Sequence, residues 1–236
     1  LVEKLPEGMN KAELGSFITT IAETEVLDAL RRDNFRILSF GDTDAGSADY
    51  SQCDGLWKRL IAGEATYDVE KIDAITVLNQ TDGTRALDYL RNIYNGSKTV
   101  LKQVPANQKI ILVTGNVYEN LMTTYEDKAL DGGGLTARVE EGVTQLMFRG
   151  IDVSPVYAWD SALTDVDNPF AATFDTAILY TEKNNHVVGL QQANNLQQVQ
   201  QWYEKKDRLV YWDGSYKMGY NFVHGDLTSI SYGVLA

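Results

Sequence analysis

The sequence predicts an α+β protein built as two interleaved lobes. Three observations carry this reading: one long amphipathic stretch at 11 to 33, an alternation of helix-like and strand-like segments from about residue 70, and a strand-rich last third. The 236 residues, 44% hydrophobic and 23% charged, are enough for one or two domains with a sizeable core.

The first element is a helix over 11–33. Leu14, Ile18, Ile21, Val26 and Leu30 recur at three- and four-residue steps, while Glu23, Glu25, Asp28, Arg31 and Arg32 fill the other face. Acids stand early and bases late, as the helix dipole favours. The turn-rich stretch Gly41 to Asp49 ends it, and Leu56, Trp57, Leu60 and Ile61 predict a short helix from about Asp54 to Ile61. Ala74 to Leu78 is strand-like, and Thr84 is placed to cap a helix running to Tyr94. Lys109 to Thr114 is a buried-strand pattern, with Thr114 or Asn116 capping the helix from Val117 to Tyr125.

Beyond the glycine triplet Gly132-Gly133-Gly134, Ala137 to Phe148 and Ile151 to Tyr157 predict two strands joined through Arg149-Gly150. Thr176 to Thr181 and His186 to Leu190 predict a hairpin across Lys183-Asn184-Asn185. Gln191 to Gln201 carries Leu196 and Val199 at a helical step that continues to Tyr203, and Arg208 to Trp212 and Tyr216 to Phe222 close the chain with aromatic-rich strands. No 20- to 50-residue repeat is visible, which disfavours a solenoid or propeller.

Composition excludes several classes. The longest aliphatic run is Ile110 to Val113, far short of the roughly 20 residues of a membrane span. No charged segment followed by an apolar one opens the chain, so no secretory signal is expected; Leu1 in place of Met points to a processed or trimmed product. The 33 acidic and 21 basic residues give a net charge of −12, and the bases are scattered, which argues against nucleic-acid binding as the main activity. A single cysteine, Cys53, rules out an internal disulfide. With only His186 and His224 besides, a Cys/His zinc site cannot be assembled.

Candidate chemistry is sparse. Asp42, Asp44, Asp49 and Asp54 invite a calcium site, but Gly46, Ser47 and Cys53 stand where an EF-hand needs a ligand, a glycine and a glutamate. A solvated turn is the expectation. The glycine triplet lacks the Gly-Lys-Ser/Thr of a phosphate loop, and no Gly-x-Ser-x-Gly elbow occurs. His186 and His224 read as strand-end histidines, Glu140-Glu141 as an ordinary acidic pair and Cys53 as a packed side chain. The series Trp202, Tyr203, Tyr211, Trp212, Tyr216, Tyr220 and Phe222 reads as core and subunit interface, with sugar or base stacking as the other use. No catalytic, cofactor-binding or metal residue is assigned, and no enzyme activity is expected.

Order along the chain adds a further signal. The long helix, Phe40-Gly41-Asp42-Thr43 followed by Asp54-Gly55-Leu56, Lys109 to Thr114 leading into Asn116 to Tyr125, and Gln145 to Val153 with Pro155-Val156 close behind form one succession. Together with Arg208 to Gly219 and Leu227 to Gly233, it resembles the major capsid (coat) protein of tailed bacteriophages, a fold also used by encapsulin shells. The resemblance covers most of the chain, through short motifs whose weight lies in their order. About ten residues precede the helix here, where that family has an arm and an extended loop. The lysine–asparagine crosslink of some members has no identifiable counterpart.

The resemblance implies a spine helix, a peripheral (P) lobe and an axial (A) lobe. Residues 1–50 would hold the N-terminal remnant, the spine and part of the peripheral domain, and residues 51–184 the axial domain. Residues 185–218 would supply peripheral strands, and 219–236 the return to the axial domain. It further implies self-assembly through hexamers and pentamers into an icosahedral virion shell enclosing double-stranded DNA without binding it specifically. The subunit would be made in the bacterial host cytoplasm and would use no cofactor or membrane; scaffold, portal and maturation protease are the further partners implied. An encapsulin-like compartment, or a carbohydrate- or protein-binding module using the C-terminal aromatics, are the competing expectations.

Overall fold

The computed structural model describes residues 11–80, 84–127, 135–140, 143–190, 200–204, 209–213 and 218–235, with side chains over 24–80, 84–126, 145–189 and 218–235. Its helices are α1 (Lys11–Phe40), α2 (Leu56–Thr66), α3 (Ala86–Gly96), α4 (Thr99–Gln103), α5 (Gly115–Asp127) and α6 (Tyr157–Leu163). Its strands are β1 (Glu70–Lys71), β2 (Lys109–Val113), β3 (Leu135–Glu140), β4 (Val143–Phe148), β5 (Ile151–Pro155) and β6 (Thr176–Glu182). They continue with β7 (His186–Leu190), β8 (Gln200–Glu204), β9 (Leu209–Asp213), β10 (Met218–Phe222) and β11 (Thr228–Gly233). Two compact units result: Leu1–Phe35 with Gln192–Ser215, and Arg36–Gln191 with Tyr216–Ala236.

The smaller unit holds α1 as far as Phe35 and the antiparallel hairpin β8–β9, in which Trp202 pairs with Tyr211. The larger unit is organised by a mixed seven-stranded sheet in the order β1-β11-β6-β2-β5-β4-β3. β2 runs parallel to β5 and antiparallel to β6, and α5 with the β3–β4 pair fills the crossover. β4 and β5 meet through Arg149-Gly150, with Phe148 opposite Ile151. Both turn residues have positive φ, 52° and 78°, as a two-residue hairpin turn matching the sheet twist requires.

Alternation along the strands feeds two cores. On β6, Ile178 and Tyr180 face a cluster with Leu90, Ile93, Val117 and Leu121 of α3 and α5. Ala177 and Leu179 face the other cluster, built round Trp57, Trp159 and Phe174. Trp57 meets Trp159 edge-on at 5.3 Å and Phe174 at 5.0 Å, so ring geometry as well as area fixes this second core.

Several predicted boundaries move. The helix predicted over 11–33 runs to Phe40, where Ile37 and Phe40 are buried. Buried Asn34 and Ser39 interrupt the apolar stripe in sequence, yet Ser39 accepts the Trp159 indole hydrogen at 3.2 Å. Ala74–Leu78 is not a ladder strand; only Glu70–Lys71 pairs with β11, and Ile75 is buried beyond it. α3 starts at Ala86, whose N–H bonds Asn120 on α5 at 2.9 Å, while Thr84 donates to Asn79 instead. The two strands predicted between 137 and 157 are three, β3, β4 and β5. The glycine triplet, and residues 191–199 of the predicted Gln191–Gln201 helix, lie outside the described residues.

The predicted hairpin of 176–181 with 186–190 does not form. Both strands exist, but β6 pairs with β11 and β2, and β7 pairs with β10. The reason lies at Asn185, which is buried and held by the returning chain. Its side chain donates to the His224 carbonyl at 2.7 Å and to Thr228 Oγ1 at 2.8 Å, and accepts the His224 N–H at 2.8 Å. Its carbonyl accepts from Val223 at 2.9 Å. The antiparallel pair β6–β11 therefore bends at this corner and continues as the ribbon β7–β10. Thr228 stands opposite Thr181, but Phe222 opposite His186, so the register slips by one residue across the bend.

Candidate functional site

The acidic turn after α1 is a cage around an ammonium. Gly41 closes the helix onto the Ile37 carbonyl at 2.7 Å, and Gly55 donates to the Gly41 carbonyl at 2.8 Å, bringing the two ends of the turn together. Lys58, one turn into α2, reaches back to Asp42, to Asp44 at 2.8 Å and to Asp54 at 2.9 Å. The Lys58 side chain is 21% exposed. Burial would lower its pKa, but its three carboxylate partners outweigh that and raise it. Burial likewise works against ionised Asp54, yet hydrogen bonds from Lys58 and Thr43 hold that carboxyl down at about 2. Asp49 is exposed and stands apart from these contacts. The place a cation would take is filled by the chain's own lysine, a signal readable in sequence only as Asp54 and Lys58 at a four-residue helical step.

His186 lies at the corner rather than on an open strand end. Its Nε2 is 2.9 Å from Thr181 Oγ1, and its Nδ1 contacts the hydroxyl of Tyr220, whose ring it stacks on at 5.9 Å. Burial lowers its pKa to about 4, so it is neutral near pH 7. His224 is exposed and contributes its backbone N–H to Asn185. Cys53 is half-buried; burial and then Asp54 push its thiol up, away from the thiolate a nucleophile needs. Among the described residues, no group of three or more His, Cys, Asp or Glu side chains could hold a metal ion. Glu140 ends β3, and Glu141 lies outside the described residues.

Of the C-terminal aromatics, Tyr220 and Phe222 are buried in the second core. Trp202, Tyr203, Tyr211 and Trp212 belong to β8–β9, whose side chains are outside the described set, as is Tyr216.

At the far end of the ribbon a groove of about 580 Å³ opens between the end of α2 and residues 221–226. Glu64, Asp68 and Asp226 contribute acids to its lining, together with exposed Tyr67 and Val223. Tyr67 packs edge-on against Phe222 at 5.8 Å. Gly225 closes the floor: a Cβ there would lie 1.6 Å from the Tyr67 carbonyl oxygen, so the chain passes backbone against backbone. Sequence reasoning missed this groove because its walls come from segments 160 residues apart.

No protein-family model matches the chain, and no curated protein matches it in sequence. Solved structures do. One is a chain of the procapsid of satellite phage P4 including the size determination protein, similar with a TM-score of 0.53 at 13% identity, over 96% of this chain and 65% of that one. A structure of Mycobacterium phage Che8 is similar at a TM-score of 0.44 and 12% identity, over 74% of this chain and 57% of that one. An encapsulin complex from Synechococcus elongatus gives 0.44 and 12%, over 99% and 68%. The first of these shows the fold: the chain has the α+β fold of that procapsid chain. It spans about 65% of the length of that procapsid chain.

Proposed function

We propose that this chain is a shell subunit, a major capsid protein that assembles through hexamers and pentamers into an icosahedral container for double-stranded DNA. The observation that carries the reading is the fold shared with a procapsid chain over 96% of this sequence. In this reading residues 51–184 gather as the axial domain, 1–50 and 185–218 form the peripheral part, and 219–236 return to the axial domain. The bend at Asn185, where β6 gives way to β7, supports a boundary at that point.

Heterologous contacts of this kind close into shells when the rotations permit it, and a subunit held on several sides is held firmly through individually weak contacts. The net charge of −12 supports a DNA container over a DNA binder, since a strongly attractive wall would hinder filling. Scaffold, portal and maturation protease would be the further partners, with synthesis in the host cytoplasm and residence in the virion. Among the described residues no helix is long and apolar enough to cross a membrane.

Electron microscopy of the purified chain over a concentration series tests the proposal. Shells, sheets or ring-shaped capsomers are expected. Persistent monomers whose melting temperature rises with added sugars would replace it with a carbohydrate-binding module.

A further inference from the structure

The ribbon β7–β10 turns two rings of one face toward the core, while Val188 on that same face and Val187 on the other are each 49% exposed among the described residues. Tyr220 and Phe222, paired with Val188 and His186, occupy the core side, where both rings are buried. The opposite face presents Val187 beside Asn221, and then Gly189 beside Gly219. A Cβ on Gly219 would meet nothing within 4 Å, and one on Gly189 would come no closer than 3.9 Å to a neighbouring atom. Neither glycine has a positive φ. Neither is therefore required by the chain's own packing or backbone geometry, although glycine weakens a strand. A cross-strand glycine pair of this kind leaves a strip of bare backbone, suited to the close approach of another backbone. Continuing along that face, Asn221 and Val223 lead directly into the acidic groove.

We propose that this open face and the groove at its end dock the β8–β9 hairpin of a second copy of the chain, with the hairpin's connecting residues entering the groove. The proposal rests on the shell-subunit reading and names one of its contacts. Charge selects the occupant. Residues 205–208, Lys205-Lys206-Asp207-Arg208, join β8 to β9 and form the one four-residue window in the sequence with three basic side chains. The groove lining holds Glu64, Asp68 and Asp226 and no lysine or arginine. Lys98 pairs with Asp68 at 2.9 Å, where Asp68 is 81% exposed, and Lys71 stands 3.9 Å from Glu64. The Asp68 pair is open enough to be shared with or exchanged for an incoming base, whereas Glu64, 25% exposed, also accepts the Tyr232 hydroxyl at 2.9 Å and offers only its remaining oxygen capacity. Exposed Tyr67 and Val223 add apolar area that a hairpin would cover.

The experiment mixes full-length chains of natural and 15N composition under assembling conditions and treats them with a carbodiimide, which joins amines to carboxylates in direct contact. The expected result is mixed-isotope links from Lys205 or Lys206 to Glu64, Asp68 or Asp226. Gly219→Val is expected to leave the melting temperature of the monomer unchanged or higher, since a β-branched residue suits an open strand position. It should also abolish these links and slow assembly at least tenfold. The triple variant Lys205→Glu, Lys206→Glu, Arg208→Glu should lose the links through charge alone. Assembly of the unmodified chain with mixed-isotope links only elsewhere would overturn this contact and leave the shell reading standing. Unhindered assembly or retained links in Gly219→Val, or its failure to fold, would equally overturn the contact. A chain that never associates would remove both.

Discussion

Lys58 and His186 decide how two polar clusters behave. The ammonium of Lys58 offsets the mutual repulsion of Asp42, Asp44 and Asp54; without it, carboxylates gathered within reach of one point repel. Lys58→Met is expected to destabilise the chain by about 1–3 kcal/mol in urea unfolding. Asp44→Asn, at a side chain 88% exposed, should change it by less than about 0.5 kcal/mol. Equal effects would mean that the cage does not act through its buried members. The pH dependence has two windows. Asp54 is held below its unfolded value, so its contribution is fully present above about pH 4 and is lost as pH falls toward its folded value of about 2. His186 is also lowered, but for a base this means the unfolded state binds the proton first. Stability is therefore complete above the unfolded value of about 6.5 and declines as pH drops toward about 4. Up to about 3 kcal/mol is at stake in that second window. His186→Gln should flatten the stability profile between those values, measured by denaturation at stepped pH, and an unchanged slope would clear His186 of the effect.

At the scale of elements, the corner at Asn185 sets the architecture. One buried amide holds 223–228 against the end of β6 through three side-chain hydrogen bonds. Asn185→Ala is expected to lower stability by about 1–3 kcal/mol, because the His224 N–H and the hydroxyl of fully buried Thr228 would both lose that partner. Amide exchange should quicken first at 222–228, and a uniform change across the sheet would argue against a local staple. The sequence reveals the strands on both sides of this corner but not their partners. Residues 176–181 and 186–190 with asparagines between them carry every local sign of a hairpin, and the pairing is decided by a segment nearly 40 residues away. The run at 109–114 is legible because a buried strand is written in apolar residues. Buried Asn34 and Ser39 break the apolar stripe of α1 before the helix ends, and the partner of Ser39, the Trp159 indole, is tertiary. The same limit hides the groove, whereas the basic run at 205–208 is plain in sequence although its counterpart is not.

For the whole molecule, charge acts at two ranges with opposite sign. Each copy carries a net −12, so at low salt copies repel over the full Debye length of roughly 30 Å at about 0.01 M. A contact between the basic run at 205–208 and the acidic groove, as proposed, is attractive, acts at a few ångströms, and survives moderate screening better than the diffuse repulsion does. Raising salt from about 0.01 M toward about 0.15 M should therefore promote association, as the screening length shrinks to roughly 8 Å. Toward about 1 M, where that length is roughly 3 Å, the ionic contact itself should weaken and association should fall back. Light scattering at fixed protein concentration would then pass through a maximum with salt. The charge-reversed hairpin variant, having lost the short-range attraction and gained negative charge, should instead rise monotonically from a lower start. A monotonic rise for the unmodified chain would mean that association is driven by apolar contacts with no ionic component. A monotonic fall would mean that local attraction outweighs the net charge even where screening is least.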